Sequence, residues 1–297
     1  MTDKKLPFIE HLTELRSRII VSVIVVAVFF GVLFYYSEYL YNLIILPMKS
    51  KLVLQNSFPF LNFVPTEIKD ASLIVTAPGE RFWMHIKISV AGAIVLSLPV
   101  ILYQVWKFVA PGLFPHEKRY LGPFVVVSSI FFIIGAAFCF IVVLPFALGF
   151  LLEYKMDQTQ DLKTLISIGE YINFTLKFIL SFGAVFELPI VILLLTKMGI
   201  VTPVMLSKNR KYAVLIAFIL AAILTPTGDA FNLMLMAVPI LILYEVGILA
   251  SRFAANLKSK KDSLNESVLL LALISIPLIR KIITGSKKRV TPGTFIN

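Results

Sequence analysis

Residues 121–152, LGPFVVVSSIFFIIGAAFCFIVVLPFALGFLL, carry no charged side chain. At about 1.5 Å per residue, a helix of this length reaches beyond the roughly 30 Å hydrocarbon core of a bilayer. The stretch also lacks the strict alternation of a barrel strand, so it reads as a transmembrane helix that tilts or projects.

Five further apolar segments lie outward from it, at about 19–36, 86–106, 171–197, 212–224 and 230–250. The fifth in chain order, 212–224, covers only about 20 Å, and the sixth also reads as short. The whole chain agrees with this picture, since 58% of its 297 residues are apolar and 15% are charged. The expected fold is an all-α polytopic membrane protein of six helices.

The formal charge of +11 would suggest nucleic acid in a soluble chain, but no basic module interleaved with aromatics appears. The basic residues sit between the apolar runs and report topology instead. Lys4, Lys5, Arg16 and Arg18 precede the first run; Lys107, Lys118 and Arg119 follow the second; Lys197, Lys208, Arg210 and Lys211 follow the fourth. Nine more lie in the C-terminal tail, whereas the first, third and fifth loops hold four, two and none. The positive-inside rule therefore puts both termini on the cytoplasmic side. Lys87 and Lys177 fall near the outer ends of their segments, where a long side chain can snorkel to the interface. The N-terminal stretch has no small-residue cleavage site and is expected to be retained.

Catalysis finds little support. Cys139 is the one cysteine, so an internal disulfide or a cysteine metal site is excluded. His11, His85 and His116 are widely separated, and no HExxH, GxSxG or phosphate-cradling glycine loop occurs. No metal or cofactor is expected.

Pro99, Pro145, Pro189 and Pro239 lie inside apolar segments, where each removes a backbone hydrogen bond and favours a kink. Bent helices can enclose a concave face. The long first outer loop, about 37–85, is expected to cap the bundle outside the membrane. Glu187 stands alone in SFGAVFELPI, about 15 Å from the inner end of its helix. An acid there costs on the order of 2.5 to 3.5 kcal/mol on insertion scales. Its bland reading is a protonated carboxyl bonded to a neighbouring helix or to the carbonyl that Pro189 frees; its functional reading is a carboxyl facing a wet cavity.

At the N-terminus, Phe8, Ile9, Leu12, Leu15 and Ile19 recur at helical spacing, which predicts an amphipathic helix over 7–18 lying along the interface. Glu10, Glu14 and Arg18 then share its polar side, and the bland reading is an i, i+4 ion pair.

Four pieces carry a family resemblance: HLTELRSR (His11 to Arg18), SLPVILYQVWKFVAPGLFPHEKR (Ser97 to Arg119), SFGAVFELP (Ser181 to Pro189), and LTP followed by Asp229. In this order, over about residues 6–253, the chain resembles the TatC family, receptor and core subunit of the twin-arginine protein translocase. The resemblance implies six helices with both ends inside, in the cytoplasmic membrane of a prokaryote. It also implies recognition of Arg-Arg signal peptides, and export of folded proteins driven by the proton-motive force, in a multimeric complex with single-span TatA and TatB partners.

By the same resemblance, Glu14 and Glu117 match the acidic signal-binding positions, with His11, Leu12, Arg16 and Phe108 shaping the surface beside them. Two guanidinium groups are planar, permanently charged and suited to carboxylates. Glu187 matches the family's intramembrane glutamate, Thr225 and Asp229 fall where partners dock, and Pro47, Pro78, Pro111 and Pro189 match structural prolines. The family's Thr-Pro-Pro-Asp and following Ser-Gln pair are replaced here by Thr225, Pro226, Thr227, Gly228, Asp229, then Asn232 and Leu233.

The membrane domain is expected over 1–253. A basic tail over 254–297 has an apolar piece, 268–279, too short to span and read as interfacial. An ion-coupled transporter or permease is the main competing class, supported by Glu187 and the prolines; a purely structural scaffold is the third.

Overall fold

A computed structural model describes residues 8–54, 61–65, 72–109, 121–153, 165–225 and 228–255. Pro111, Glu117 and the 268–279 segment lie outside these residues.

Helix α1 runs unbroken over Phe8–Tyr35. The expected separate interfacial helix over 7–18 is therefore corrected: the amphipathic stretch is the first part of the first spanning helix. No breaker stands between Arg18 and Ile19, and Arg18 pairs with Glu14 one turn earlier, so its charge does not interrupt the helix. Short helices α2 (Ser37–Ile44) and α3 (Leu46–Lys49) follow.

The first and third connections add strands to the expected all-α design. Strand β1 (Ser50–Leu54) pairs antiparallel with β2 (Leu61–Pro65), with Ser50 opposite Pro65 and Leu54 opposite Leu61. Strand β3 (Ser72–Ile74) pairs in parallel with β4 (Leu165–Ser167), which precedes the fourth long helix. The first and third loops, distant in sequence, are thus stitched together on one face.

Helix α4 (Glu80–Val109) continues through Pro99, and the last described helix, α11 (Ala230–Ala255), continues through Pro239. The other two intramembrane prolines do interrupt their helices. The stretch 121–153 divides into α5 (Leu121–Phe138), a π-helical turn (Cys139–Val143) and α6 (Leu144–Glu153). The Leu144 N–H reaches back five residues to the Cys139 carbonyl, one residue before Pro145. Likewise α7 (Ile168–Phe186) and α8 (Leu188–Lys197) join at Glu187, with Pro189 in the first turn of α8.

Helices α9 (Pro203–Lys208) and α10 (Arg210–Leu224) lead to α11. Among the described residues, five helical runs are long and apolar enough to cross a membrane: Glu10–Tyr35, Glu80–Val109, Gly122–Leu151, Ile168–Lys197 and Ala230–Ala255. Helix α10 has 15 residues, about 22 Å, and is short as expected. The sixth segment is not short, which corrects the sequence expectation. Helix α11 has 26 residues, about 39 Å, because it continues past the apolar run through Arg252 into Ala254 and Ala255.

Phe178, Phe182, Ile88, Ile172, Leu144 and Met236 are fully buried at the centre of the bundle. The lipid-facing side is equally apolar: Val23, Ile24 and Val28 of α1 are each more than half exposed. Two glycines set the register of α5 on α7. A Cβ on Gly183 would lie 2.5 Å from the Phe132 ring, and one on Gly135 would lie 2.7 Å from the Phe182 carbonyl oxygen. Such small residues let membrane helices approach closely.

Candidate functional site

The last turns of α4 have two opposed faces. Trp106 is buried against Val125, Ile190 and Leu194 of α5 and α8, and its ring lies 5.8 Å from that of Phe124. Gln104 and Phe108, four residues apart, share the opposite side and meet α1. On α1, His11, Glu14 and Arg18 recur at helical spacing on the side that faces them.

Four contacts join these residues. The His11 and Phe108 rings stack with centroids 4.2 Å apart and planes at 12°. Arg18 pairs with Glu14 through a charge-assisted hydrogen bond. The second Glu14 oxygen lies 3.7 Å from His11 Nδ1. Arg18 also donates to Gln104 Oε1 at 3.4 Å. The ion pair that helical spacing alone suggested is therefore formed. It is half-sheltered, with the Arg18 side chain 12% and that of Glu14 27% exposed.

The structure thus brings together His11, Glu14 and Phe108 of the six residues named for recognition. Leu12 and Arg16 point to the exposed flank of α1. Gln104 was missed. Its signal is a lone neutral polar residue near the end of an apolar run, four positions before Phe108.

Glu187 occupies the junction of α7 and α8, and its backbone carbonyl accepts from the Ile190 and Val191 N–H groups at 3.0 and 2.9 Å. The glycine register brings Ser128 of α5 opposite its carboxyl. Glu187 Oε1 and Ser128 Oγ are both buried and make no hydrogen bond among the described residues. The contrast with Ser89, Ser97 and Ser129 is informative. Those hydroxyls donate to their own helix carbonyls four residues back, at 2.7, 2.6 and 2.8 Å.

Asp229 begins α11. Its carboxylate accepts from the Asn232 backbone N–H at 2.7 Å and from Asn232 Nδ2 at 2.9 Å, so it caps the helix. Thr225 is buried at the end of α10 and donates its hydroxyl to the Ala221 carbonyl. Arg210 holds Glu245 in a two-pronged pair at 2.7 and 2.8 Å, and the Tyr244 hydroxyl donates to the Leu206 carbonyl at 2.9 Å. These bonds tie the start of α10 to the far part of α11, so the two helices run antiparallel.

On the opposite face from His11, Glu80 is a hub that sequence reading underweighted. One carboxylate oxygen accepts from the Thr76 N–H at 2.5 Å, the Thr76 hydroxyl at 3.0 Å and the Ala77 N–H at 3.3 Å. The other accepts from the Gly169 N–H at 2.8 Å and from the Ser167 hydroxyl. A Cβ on Gly169 would lie 2.7 Å from that oxygen, so glycine makes room for the contact. Lys87 donates to Asn173 at 2.8 Å beside it, and the Tyr171 hydroxyl donates to the Ile44 carbonyl at 2.8 Å. Pro47 is buried below this cap and Pro78 is exposed in the turn before α4. Among the described residues, no group of three His, Cys, Asp or Glu is placed to hold a metal.

Residues 10–239 match the family model of the Sec-independent protein translocase protein TatC. The chain is 39% identical over 256 residues to the TatC protein of Aquifex aeolicus, covering 86% of this chain and 98% of that one. It is 38% identical over 247 residues to the protein of the same name from Escherichia coli K12, covering 83% and 88%. A crystal structure of the twin-arginine translocase receptor TatC superposes with a TM-score of 0.69 at 38% identity, covering 82% of this chain and 99% of that one. The chain belongs to the TatC family of Sec-independent protein translocase proteins.

Proposed function

We propose that this chain receives twin-arginine signal peptides on the face that carries His11, Glu14 and Phe108, and that Glu14 and Glu117 hold one Arg-Arg pair jointly. The observation that carries the reading is Glu14 itself. It is a partly exposed carboxylate at the end of the bundle, beside an aromatic stack and an exposed Leu12 and Arg16. A guanidinium finds there both a charged acceptor and flat apolar surface. The relatives and the solved receptor of the same family support the assignment.

In this reading the chain crosses the cytoplasmic membrane of a prokaryote six times with both termini inside. It works in a multimeric complex with single-span TatA and TatB partners, and the proton-motive force drives export of folded proteins. Glu187 supplies a polar spot on the concave side of the bundle, for water or a partner helix, because its buried carboxyl lies beside the buried Ser128 hydroxyl. Thr225 at the end of α10 and Asp229 at the start of α11 are the second docking point for partner helices.

The test is crosslinking of the full-length protein in membranes to a twin-arginine peptide. Glu14→Ala combined with Glu117→Ala abolishes the crosslink and leaves a Lys-Lys control unchanged. Equal crosslinking before and after removes the reading. Glu187 alone favours a second class, an ion-coupled transporter, for which peptide binding would not depend on the arginine pair.

A further inference from the structure

Glu14 is already occupied. The guanidinium of Arg18, one helical turn further along α1, sits on the carboxylate that the proposed function assigns to a signal arginine. An incoming guanidinium therefore has to exchange with one that is covalently in place. We propose that Arg18 is the specificity-determining residue of the site: an internal occupant of Glu14 that another guanidinium displaces and an ammonium does not.

Three features support an exchange. Arg18 is sheltered between α1 and α4, with 12% of its side chain exposed, so it competes at high local concentration. Its Nε is buried without a hydrogen-bond partner among the described residues, so its present seat leaves one donor unsatisfied. Gln104 Oε1, 3.4 Å from the guanidinium, is a neutral acceptor on the neighbouring helix that can take Arg18 when it leaves Glu14. The ledger of the exchange then separates the two cations. Arginine for arginine keeps a guanidinium N–H on the carboxylate, where Arg18 now places one nitrogen, and lets Arg18 turn fully to Gln104. Lysine for arginine gives up the planar guanidinium and its stacking on His11 and Phe108, and it also loses more hydration. Discrimination arises from the group that must be displaced as much as from the carboxylate that receives.

The inference rests on the signal-binding reading and deepens it. The experiment measures binding of labelled Arg-Arg and Lys-Lys signal peptides to the full-length protein in lipid nanodiscs. Arg18→Gln binds the Arg-Arg peptide as tightly as wild type or tighter, and gains the Lys-Lys peptide, so the ratio of the two affinities falls by about tenfold or more. Gln104→Leu, which leaves Arg18 on Glu14, weakens Arg-Arg binding by about three- to tenfold without admitting Lys-Lys. An Arg18→Gln variant that weakens Arg-Arg binding and keeps the ratio overturns the inference. If that variant does not fold, unchanged Arg-Arg affinity in Gln104→Leu overturns it. Glu14→Gln separates the two levels: its loss of Arg-Arg binding keeps the reading whatever Arg18 shows, while its indifference removes both.

Discussion

The His11 imidazole lies flat on the Phe108 ring, 4.2 Å between centroids and 12° from parallel, and so ties the start of α1 to the end of α4. The contact is the lid of the Glu14 and Arg18 pair, which sits one and two turns further along α1. Buried Trp106 holds the other side of the same α4 turn, so the stack has a fixed platform. Phe108→Ala should therefore detach α1 locally. We expect a loss of about 0.5 to 1.5 kcal/mol in stability beyond the area lost, read as a lower melting temperature in detergent, with partial recovery in Phe108→Tyr.

Glu187 and Ser128 make a stability prediction with the opposite sign. A carboxyl and a hydroxyl buried between apolar helices without a well-aligned hydrogen bond are a liability, of about 1 to 3 kcal/mol for an unsatisfied group. Glu187→Leu should raise the melting temperature of the isolated protein while abolishing export of a folded reporter. Glu187→Gln then tests charge: a polar spot that acts by hydrogen bonding or hydration tolerates the amide, whereas a charge-dependent role does not. Export at wild-type level in Glu187→Leu would contradict the proposed role.

The interlock of Gly183 and Phe132 sets the register that faces Ser128 to Glu187. Gly183→Ala places a methyl group 2.5 Å from the Phe132 ring and should cost about 1 to 3 kcal/mol through forced displacement of α5. Combining it with Phe132→Leu should recover part of the loss. Additive losses in the double variant would show that the two positions do not share one contact.

Glu80 fastens the segment before α4 to the segment before α7. Glu80→Ala removes the acceptor of the Thr76, Ala77, Ser167 and Gly169 donors together, whereas each donor variant removes one. Amide hydrogen exchange should quicken at both 72–77 and 165–169 in Glu80→Ala, and stay at the wild-type rate on the His11 face. Acceleration confined to the first of these segments would mean that the parallel β3 and β4 pairing holds without the carboxylate.

Much of the bundle was legible because hydropathy and length act locally. The uncharged run 121–152 became one interrupted spanning helix, and Pro145 and Pro189 marked the interruptions, as a missing backbone donor requires. Pro99 and Pro239 did not break α4 and α11, since packing can hold a proline inside a continuous helix. The ends of helices were less legible. Hydropathy stops at charges, but a helix does not, so α1 extends back through Glu14 and Arg18 and α11 forward past Arg252. The acidic residue at 14 could be named from the HLTELRSR motif, whereas Gln104 depends on how α4 packs on α1. The Glu80 hub was illegible for the same reason: its partners at Thr76 and Gly169 lie on either side of two spanning helices.

Glu14 and Glu117, as proposed, hold the arginine pair of a signal peptide. The most direct measurement places a photocrosslinking side chain at the exposed Leu12, beside Glu14, in the full-length protein in membranes. It compares Arg-Arg with Lys-Lys precursors, with Glu14 and Glu117 both present and then both replaced by Ala. Crosslinks to residues next to the arginine pair are expected with both carboxylates present, and none with the Lys-Lys precursor or without the carboxylates. Equal crosslinks to both precursors, or crosslinks that survive the loss of both carboxylates, would contradict joint binding by Glu14 and Glu117.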